Sequence, residues 1–317
     1  MARNGIVITG ATATGKTALS IEVARRLNGE IISMDSRQVY RGMDIGTAKA
    51  TPEQRAQVPH HGLDLVNPDE RYSAGRFARD ARRWIADISG RGHVPVLVGG
   101  TGFFLKALLE PLFAEPPMPE DRREQLKRYL RQMDADRQRQ WLQVLDPAAA
   151  ARLAEQGGRQ RISRAIEVTL LTGRPFSWWQ QASPSDAQPL DLLVFVLEMP
   201  RDRLYATINQ RVHDMIADGL VDEVRALVTA GYKDTDPGMN ATGYIELLPF
   251  LEGKIPLEDA IDAIQRATRR FARRQLTWFR HQLPADAIRL GATAPLDSLA
   301  AAITEQWKKE VGSAHRN

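Results

Sequence analysis

Gly10-Ala11-Thr12-Ala13-Thr14-Gly15-Lys16-Thr17 is the stretch from which the fold of this sequence is read. It is a complete G-x-x-x-x-G-K-T, a P-loop. The β-rich run Gly5–Thr9 precedes it, and Thr17–Leu27 follows with Leu19, Val23 and Leu27 at helical spacing. A strand feeding such a loop into a helix builds a phosphate cradle. The glycines let the backbone wrap close to the anion, successive N–H groups and the helix N-terminus donate to it, and Lys16 brings charge. The Thr17 hydroxyl is placed to ligate Mg²⁺. The motif alone leaves open whether a nucleotide or another phosphate ester is held.

Outward from the loop, the pattern is that of an α/β domain with a parallel sheet. Further strands are expected at Glu30–Met34 and Val94–Val98, with a helix over Arg76–Ile88 that puts Phe77, Ala81, Trp84 and Ile88 on one face. Asp35 and Ser36 follow the second strand, at the edge where open α/β sheets meet their ligands. A carboxylate there suits a general base or a water-mediated magnesium ligand, and equally a turn or helix cap. Val98-Gly99-Gly100-Thr101-Gly102 likewise leaves a strand for an apolar helical segment. Its backbone can approach a ligand closely, with the Thr101 hydroxyl beside it, or it is simply a tight turn.

Breakers from Pro111 to Pro119 end this pattern, and a second breaker stretch runs from Ser183 to Pro189. Between them, Glu120 to about Thr172 is rich in Arg, Gln, Ala and Leu at helical spacing. Leu192–Leu197 then reads as a buried strand that returns the chain to the first sheet before a largely helical C-terminal part. The expected architecture is a P-loop NTPase-like parallel core over residues 1–115 and 190–317, with an all-helical insertion over 116–189.

The composition is consistent with this. A chain of 317 residues has the length of about two domains of roughly 150 residues each. With 43% apolar and 26% charged residues and a mean hydropathy of −0.36, it is neither disordered nor fibrous. No apolar run approaches the roughly 18 residues of a membrane helix. Met1–Asn4 passes straight into Ile6-Val7-Ile8, too short a lead for a secretory signal, so the cytosol is the expected compartment. The absence of cysteine removes disulfides, thiolate nucleophiles and cysteine-ligated metals. A net charge of +4 is a modest basic excess. It is concentrated between Arg122 and Arg139 and again from Arg266 to Arg280, where Arg266, Arg270 and Arg273 share a helical face. Two such segments around a phosphate-binding core favour a nucleic acid partner. The neighbours His60-His61 point to opposite sides of an extended segment and read as structural. Trp178-Trp179 reads as packing more readily than as a nucleobase platform.

In these features the sequence resembles the tRNA dimethylallyltransferase (tRNA isopentenyltransferase) family. The likeness runs from Gly5 to about Arg280 through the P-loop, Asp35–Tyr40, Met43–Lys49, His60–Asp64, Gly99–Gly102, Arg161–Glu167, Arg211–His213, Gly243-Tyr244 and Arg273–Trp278. The resemblance implies transfer of a dimethylallyl group from dimethylallyl diphosphate to N6 of the adenosine 3′ of the anticodon, position 37 of tRNA. Gly10, Ala11, Thr12, Ala13, Thr14, Gly15, Lys16 and Thr17 would hold the donor diphosphate rather than a nucleotide, with Mg²⁺ on Thr17. Asp35 would be the general base, Thr101 would orient the site, and Arg211 would help neutralise the leaving group. It also implies tRNA contacts for Asp35, Ser36, Arg37, Gln38, Thr101 and Arg123, and for Arg159, Gln160, Arg161, Ile162 and Ser163, the insertion gripping the anticodon stem-loop of a tRNA bound to a monomer. Two positions depart from the family: Ala11 replaces a common proline, and Ile245 a frequent basic residue. A P-loop kinase that uses Asp35 to activate a hydroxyl accounts equally well for the loop, but not for the basic segments. A non-enzymatic, NTP-gated RNA binder would need a second strand ending in a magnesium-binding acid, whereas Val94–Val98 ends in Gly99-Gly100.

Overall fold

The computed structural model describes residues 3–110, 116–156, 158–182 and 187–314. Pro111, position 115 and Ser183–Asp186, all used above to mark boundaries, lie outside the described residues. The chain divides into two compact units, Met1–Glu110 with Pro189–Asn317, and Pro111–Gln188.

The first unit opens with β1 (Gly5–Gly10), α1 (Lys16–Leu27), β2 (Gly29–Ser33), α2 (Pro52–Gln57), β3 (His60–His61), α3 (Ala74–Gly90), β4 (Val94–Val98) and α4 (Gly102–Leu109). The second unit holds α5 (Glu120–Gln132), α6 (Ala135–Leu145), α7 (Pro147–Gln156), α8 (Arg159–Thr172) and α9 (Phe176–Ala182). The chain then returns to the first with β5 (Leu192–Glu198), α10 (Arg201–Ala217), α11 (Leu220–Thr229), α12 (Leu248–Leu251), α13 (Leu257–Gln282), β6 (Ile288–Gly291) and α14 (Leu296–Ala314).

The six strands form one sheet in the order β3-β2-β4-β1-β5-β6, every pairing parallel. The strands read from sequence are present, as is the parallel α/β architecture. β3 and β6 are additions. Two residues, or four with an alternately exposed glycine-ended pattern, carry too little periodicity to stand out in a sequence. Both sit at sheet edges, where short strands limit the exposed hydrogen-bonding edge.

Parallel strands covered by helices must be apolar on both sides, and β1 and β5 are buried almost throughout. On one face Ile6, Ile8, Ile31, Val96, Leu193 and Phe195 pack with Leu19 and Val23 of α1 and with Leu299, Ile303 and Trp307 of α14. A second core joins the segment after β2, through Val39, Tyr40, Met43 and Val66, to Val212, Leu220, Val224 and Tyr244. The helical unit has its own core of Leu130, Met133, Leu142, Ala149, Leu153, Ile162, Ala165 and Ile166. Among the described residues, no helix is long and apolar enough to cross a membrane.

His60 and His61 do structural work. His60 Nδ1 meets the Val58 carbonyl at 2.7 Å, while His61 Nε2 meets Glu30 Oε2 at 2.7 Å. Glu30, buried near the start of β2, is also held by Arg91 Nη2 at 2.8 Å from each oxygen and by His93 Nδ1 at 2.7 Å. Burial alone would raise its carboxyl, but Arg91, His61 and His93 outweigh burial and hold it at about 2. The folded value lies below the ordinary 4.5, so the stability this cluster adds is complete above about pH 4.5. It is lost as pH falls toward about 2. Glu30→Gln is expected to lower urea-unfolding stability at neutral pH by roughly 1–3 kcal/mol. It should also flatten the acid limb of a stability-versus-pH curve measured by circular dichroism; an unchanged acid limb would contradict this assignment.

Candidate active site

Ile8, Val98 and Ser33 are in register across β1, β4 and β2, so three loops leave the sheet side by side at its carboxyl edge. Backbone bonds continue past the strand ends. Met34 N donates to Val98 O at 2.7 Å and Gly99 N to Ile8 O at 3.3 Å, while the buried Thr9 hydroxyl donates to Gly99 O at 2.8 Å. Phosphate loop, Asp35 and Thr101 are thus neighbours as a direct result of strand register.

The P-loop turns through Gly10 (φ 145°), Ala13 (φ 64°) and Gly15 (φ 83°), and α1 begins at Lys16. Ala11 and Ala13 are buried against Leu204 and Ile208 of α10 and Ala272 of α13. Their methyl groups anchor the loop's underside. Thr14 Oγ1 donates to Ala11 O at 2.9 Å and Lys16 Nζ to the same carbonyl at 2.6 Å, which curls the loop around its lysine. The Thr17 hydroxyl has no hydrogen-bond partner among the described residues. Arg211, from α10, reaches Thr12 Oγ1 at 3.4 Å. Burial, then the nearby Arg211, push the Lys16 ammonium down to about 7, with Asp35 opposing them. Burial also lowers Arg211, and Asp35 again opposes. Two cations crowded into a desolvated loop are a site prepared for an anion.

Asp35 Oδ1 accepts from Arg37 N at 2.8 Å, which closes a local turn and leaves Oδ2 without a hydrogen-bond partner among the described residues. The Thr101 hydroxyl accepts from Ser36 N at 3.0 Å and donates to Ser36 Oγ at 3.3 Å, tying the loop after β4 to the one after β2. The glycines beside Thr101 serve protein packing. A Cβ on Gly99 would lie 2.0 Å from Met34 O, one on Gly100 2.2 Å from Gln275 Nε2, and one on Gly102 2.3 Å from the Trp278 ring. Of the two readings left open for this segment, the geometry of these glycines is that of a tight turn packed on the protein itself.

The remaining residues singled out from sequence fall into two groups. Arg37 Nη1 donates to Pro237 O at 2.8 Å, and the Gln38 carboxamide is fully engaged by Ser33 Oγ and the carbonyls of Thr47 and Ala48. Gln38 therefore braces its loop. In the helical unit, Arg159, Gln160 and Arg161 are exposed on the first turn of α8. Arg159 Nη2 also closes the end of α5 through the carbonyls of Arg131 (2.8 Å) and Met133 (2.5 Å). Arg123 Nε pairs with the buried Glu167 at 2.6 Å, and Ser163 Oγ donates to Gln138 at 3.0 Å. Ile162 is 3% exposed in the helical core, so its side chain packs rather than faces a surface. Trp179 Nε1 donates to Thr172 Oγ1 at 2.8 Å, while Trp178 stands edge-on to it. The arginine row of α13 lines two recesses. Arg266, Arg269, Arg270 and Arg273 join Arg201 and Tyr205 around about 250 Å³, and Arg270, Arg273, Arg274, Thr277 and Trp278 surround about 520 Å³.

Two further residues hold the edge together. Glu223 accepts from the backbone N–H groups of Asp44 and Ile45 (2.8 Å each) and Gly46 (3.1 Å), and from Tyr244 Oη at 2.5 Å. Gln275 of α13 touches both the phosphate loop and the Gly100 loop. Besides its place in Arg273–Trp278, a sequence signal for Gln275 was a polar residue in step with Ala272 and Phe279 on the apolar face of its helix.

The "IPP transferase" family model matches residues 38–282, and the "Isopentenyl transferase" model residues 4–60. The tRNA dimethylallyltransferase of Carboxydothermus hydrogenoformans is 44% identical over 281 residues, 88% of this chain and 90% of that protein. That of Roseiflexus sp. is 46% identical over 309 residues, 95% and 98% of the two chains. The crystal structure of a tRNA delta(2)-isopentenylpyrophosphate transferase from Staphylococcus epidermidis superposes with a TM-score of 0.68 at 39% identity, covering 96% of this chain and 98% of that one.

The state of Lys16 has a measurable consequence. Only the protonated amine attracts diphosphate, and its value of about 7 means the free protein loses that charge as pH rises through neutrality. Calorimetric affinity for inorganic diphosphate is expected to fall above about pH 7, by up to about tenfold per pH unit, and to be flat below it for this group. Lys16→Arg stays charged and should lack this component. The difference between the two proteins separates the lysine's proton from those of the ligand, and identical profiles would refute the assignment.

Proposed function

The chain belongs to the IPP transferase family, and from that premise we propose how its own residues transfer a dimethylallyl group from dimethylallyl diphosphate to N6 of adenosine 37 in tRNA. The observation that carries the reading is the juxtaposition at one sheet edge of a phosphate loop under two half-buried cations and a carboxylate with an open oxygen. Backbone N–H groups of the Gly10–Thr17 loop, apart from that of Thr12, which Gln275 engages, hold the donor's diphosphate. The lone pair on N6 attacks C1 of the dimethylallyl group while the C1–O bond breaks and its electron pair leaves with diphosphate. Lys16 and Arg211 offset the charge gathering on that group, the point at which preorganised electrostatics lowers a barrier most. The exocyclic amine is a weak nucleophile because its lone pair is delocalised into the ring. Asp35 Oδ2 takes the N6 proton as the new bond forms. Thr101, bonded to Ser36, fixes the loop that carries this carboxylate.

Magnesium fits the donor set. The Thr17 hydroxyl is unspent, and no group of three or more His, Cys, Asp or Glu able to hold a metal exists among the described residues. An ion here would rely on Thr17, diphosphate oxygens and water, the few-protein-ligand binding magnesium favours. When bound, it supplies Lewis-acid charge to the leaving group.

For RNA, the reading gives contacts to Asp35, Ser36, Arg37, Gln38 and Thr101 in the α/β unit and to Arg123 and Arg159–Ser163 in the helical unit. The bracing of Gln38 and the burial of Ile162 leave those two to act through backbone. The exposed Arg159, Gln160 and Arg161 suit phosphate contacts, which position a nucleic acid more than they specify it. Adenosines in an anticodon loop can be flipped out at less cost than paired ones. In this reading the working protein is a cytoplasmic monomer.

The test supplies unmodified tRNA and Mg²⁺ with either dimethylallyl diphosphate or ATP and analyses the nucleosides by mass spectrometry. A prenylated adenosine formed only with the diphosphate donor is expected; ATP-dependent phosphorylation would establish the kinase alternative instead. Asp35→Asn should lower turnover by about 10²–10⁴ while tRNA affinity changes little. Collapse of affinity with normal turnover of bound tRNA would remove Asp35 from the role of base.

A further inference from the structure

Gln275 lies on α13, 7% exposed, and both ends of its carboxamide are spent on the active edge. Its Oε1 accepts from Thr12 N at 2.9 Å, in the phosphate loop, and its Nε2 donates to Gly100 O at 2.9 Å, in the loop that carries Thr101. The approach is close: a Cβ on Gly100 would meet Nε2 at 2.2 Å and Gly10 O at 3.3 Å, so glycine makes room for the amide. Thr12 is consequently fastened twice, by Gln275 at its backbone and by Arg211 at its hydroxyl. Gly100 is next to Thr101, which in turn holds Ser36 beside Asp35.

We propose that Gln275 is a positioning residue for the transfer, a two-headed clasp that sets the spacing between the loop holding the donor and the loop supporting the base. The inference rests on the function proposed above. Gln275 touches neither substrate. It takes a phosphate-loop N–H out of service as an anion donor and uses it to fix the loop, so the remaining N–H groups and Arg211 are aimed before the donor arrives. Preorganised donors need no rearrangement at the moment of reaction, which is what makes them effective. In-line displacement also tolerates little error in the distance between nucleophile and leaving group, so the spacing of the two loops bears on rate as well as on donor affinity.

Two variants of the full-length protein separate the two contacts. Gln275→Met keeps the volume and removes both; Gln275→Glu keeps an acceptor for Thr12 N–H and loses the donor to Gly100 O. Steady-state prenyl transfer is measured with dimethylallyl diphosphate and unmodified tRNA, alongside tRNA affinity, circular dichroism and amide exchange across residues 8–17. For Gln275→Met we expect donor KM to rise and kcat to fall by about tenfold or more each. tRNA affinity should stay within about twofold of wild type, and exchange across the phosphate loop should be faster. For Gln275→Glu, donor KM should move back toward wild type while kcat stays low, a split that loss of general stability does not produce. Unchanged donor KM and kcat in folded Gln275→Met, or a fall in tRNA affinity alone, overturns the proposal, the latter making Gln275 an RNA contact. Equal effects in the two variants overturn the separation of roles, and failure of both to fold makes the residue a core element only. Absence of transfer by the wild-type protein instead defeats the functional reading itself.

Discussion

Parallel pairing that sets β4 between β1 and β2 is the constraint on which the active edge depends. Because Ile8, Val98 and Ser33 stand level, the phosphate loop, Asp35 and Thr101 leave the sheet as neighbours without any long-range adjustment. Packing against α1 and α14 enforces that register, since a slip of one residue would turn Ile6, Ile8, Ile31 and Val96 away from those helices onto the other buried face. The chemistry proposed at this edge therefore draws on the same burial that stabilises the sheet.

The loops are then held from behind. Ala11 and Ala13 pack on α10 and α13, Arg211 and Gln275 reach Thr12 from those same helices, and Glu223 gathers three N–H groups of residues 44–46. Lys49, buried at the other end of that segment, pairs with Asp44 at 2.5 Å and Asp64 at 2.6 Å. Burial would raise Asp64, but Lys49 and Arg55 keep it low. Gln275, Glu223 and Lys49 are charged or amide groups whose hydrogen bonds are met inside the protein, so each specifies one arrangement of its loop.

Much of this was legible in the sequence, for reasons that differ by residue. The phosphate loop declares itself because only closely spaced glycines followed by Lys-Thr meet its geometric demands. The central strands do so because burial on both faces leaves runs such as Leu192–Leu197 unbroken. β3 and β6 were too short to show. Ile162 looked like part of an exposed motif, yet helical periodicity turns it inward, between the exposed Arg161 and the half-buried Ser163. Gln38 was given an RNA contact by resemblance, and Gln275 was seen as a motif member without a visible role. Gln38 braces its own loop through Ser33, Thr47 and Ala48, while Gln275 bonds to residues far along the chain, and no local pattern encodes a partner 263 positions away. The tandem glycines after β4 were visible as glycines, but Met34, Gln275 and Trp278 as their reason were not.

The distance along the chain between the phosphate loop and its supports bears on biosynthesis. Arg211, Glu223 and Gln275 are translated long after Gly10–Thr17, and β5, the neighbour of β1, follows the whole helical insertion. On the ribosome the early strands and the loop emerge first, with Thr12 unanchored and one flank of β1 bare. Enzymatic competence must therefore await nearly the entire polypeptide, so that a nascent or prematurely terminated chain bears the anion-binding motif without the scaffold that makes it useful.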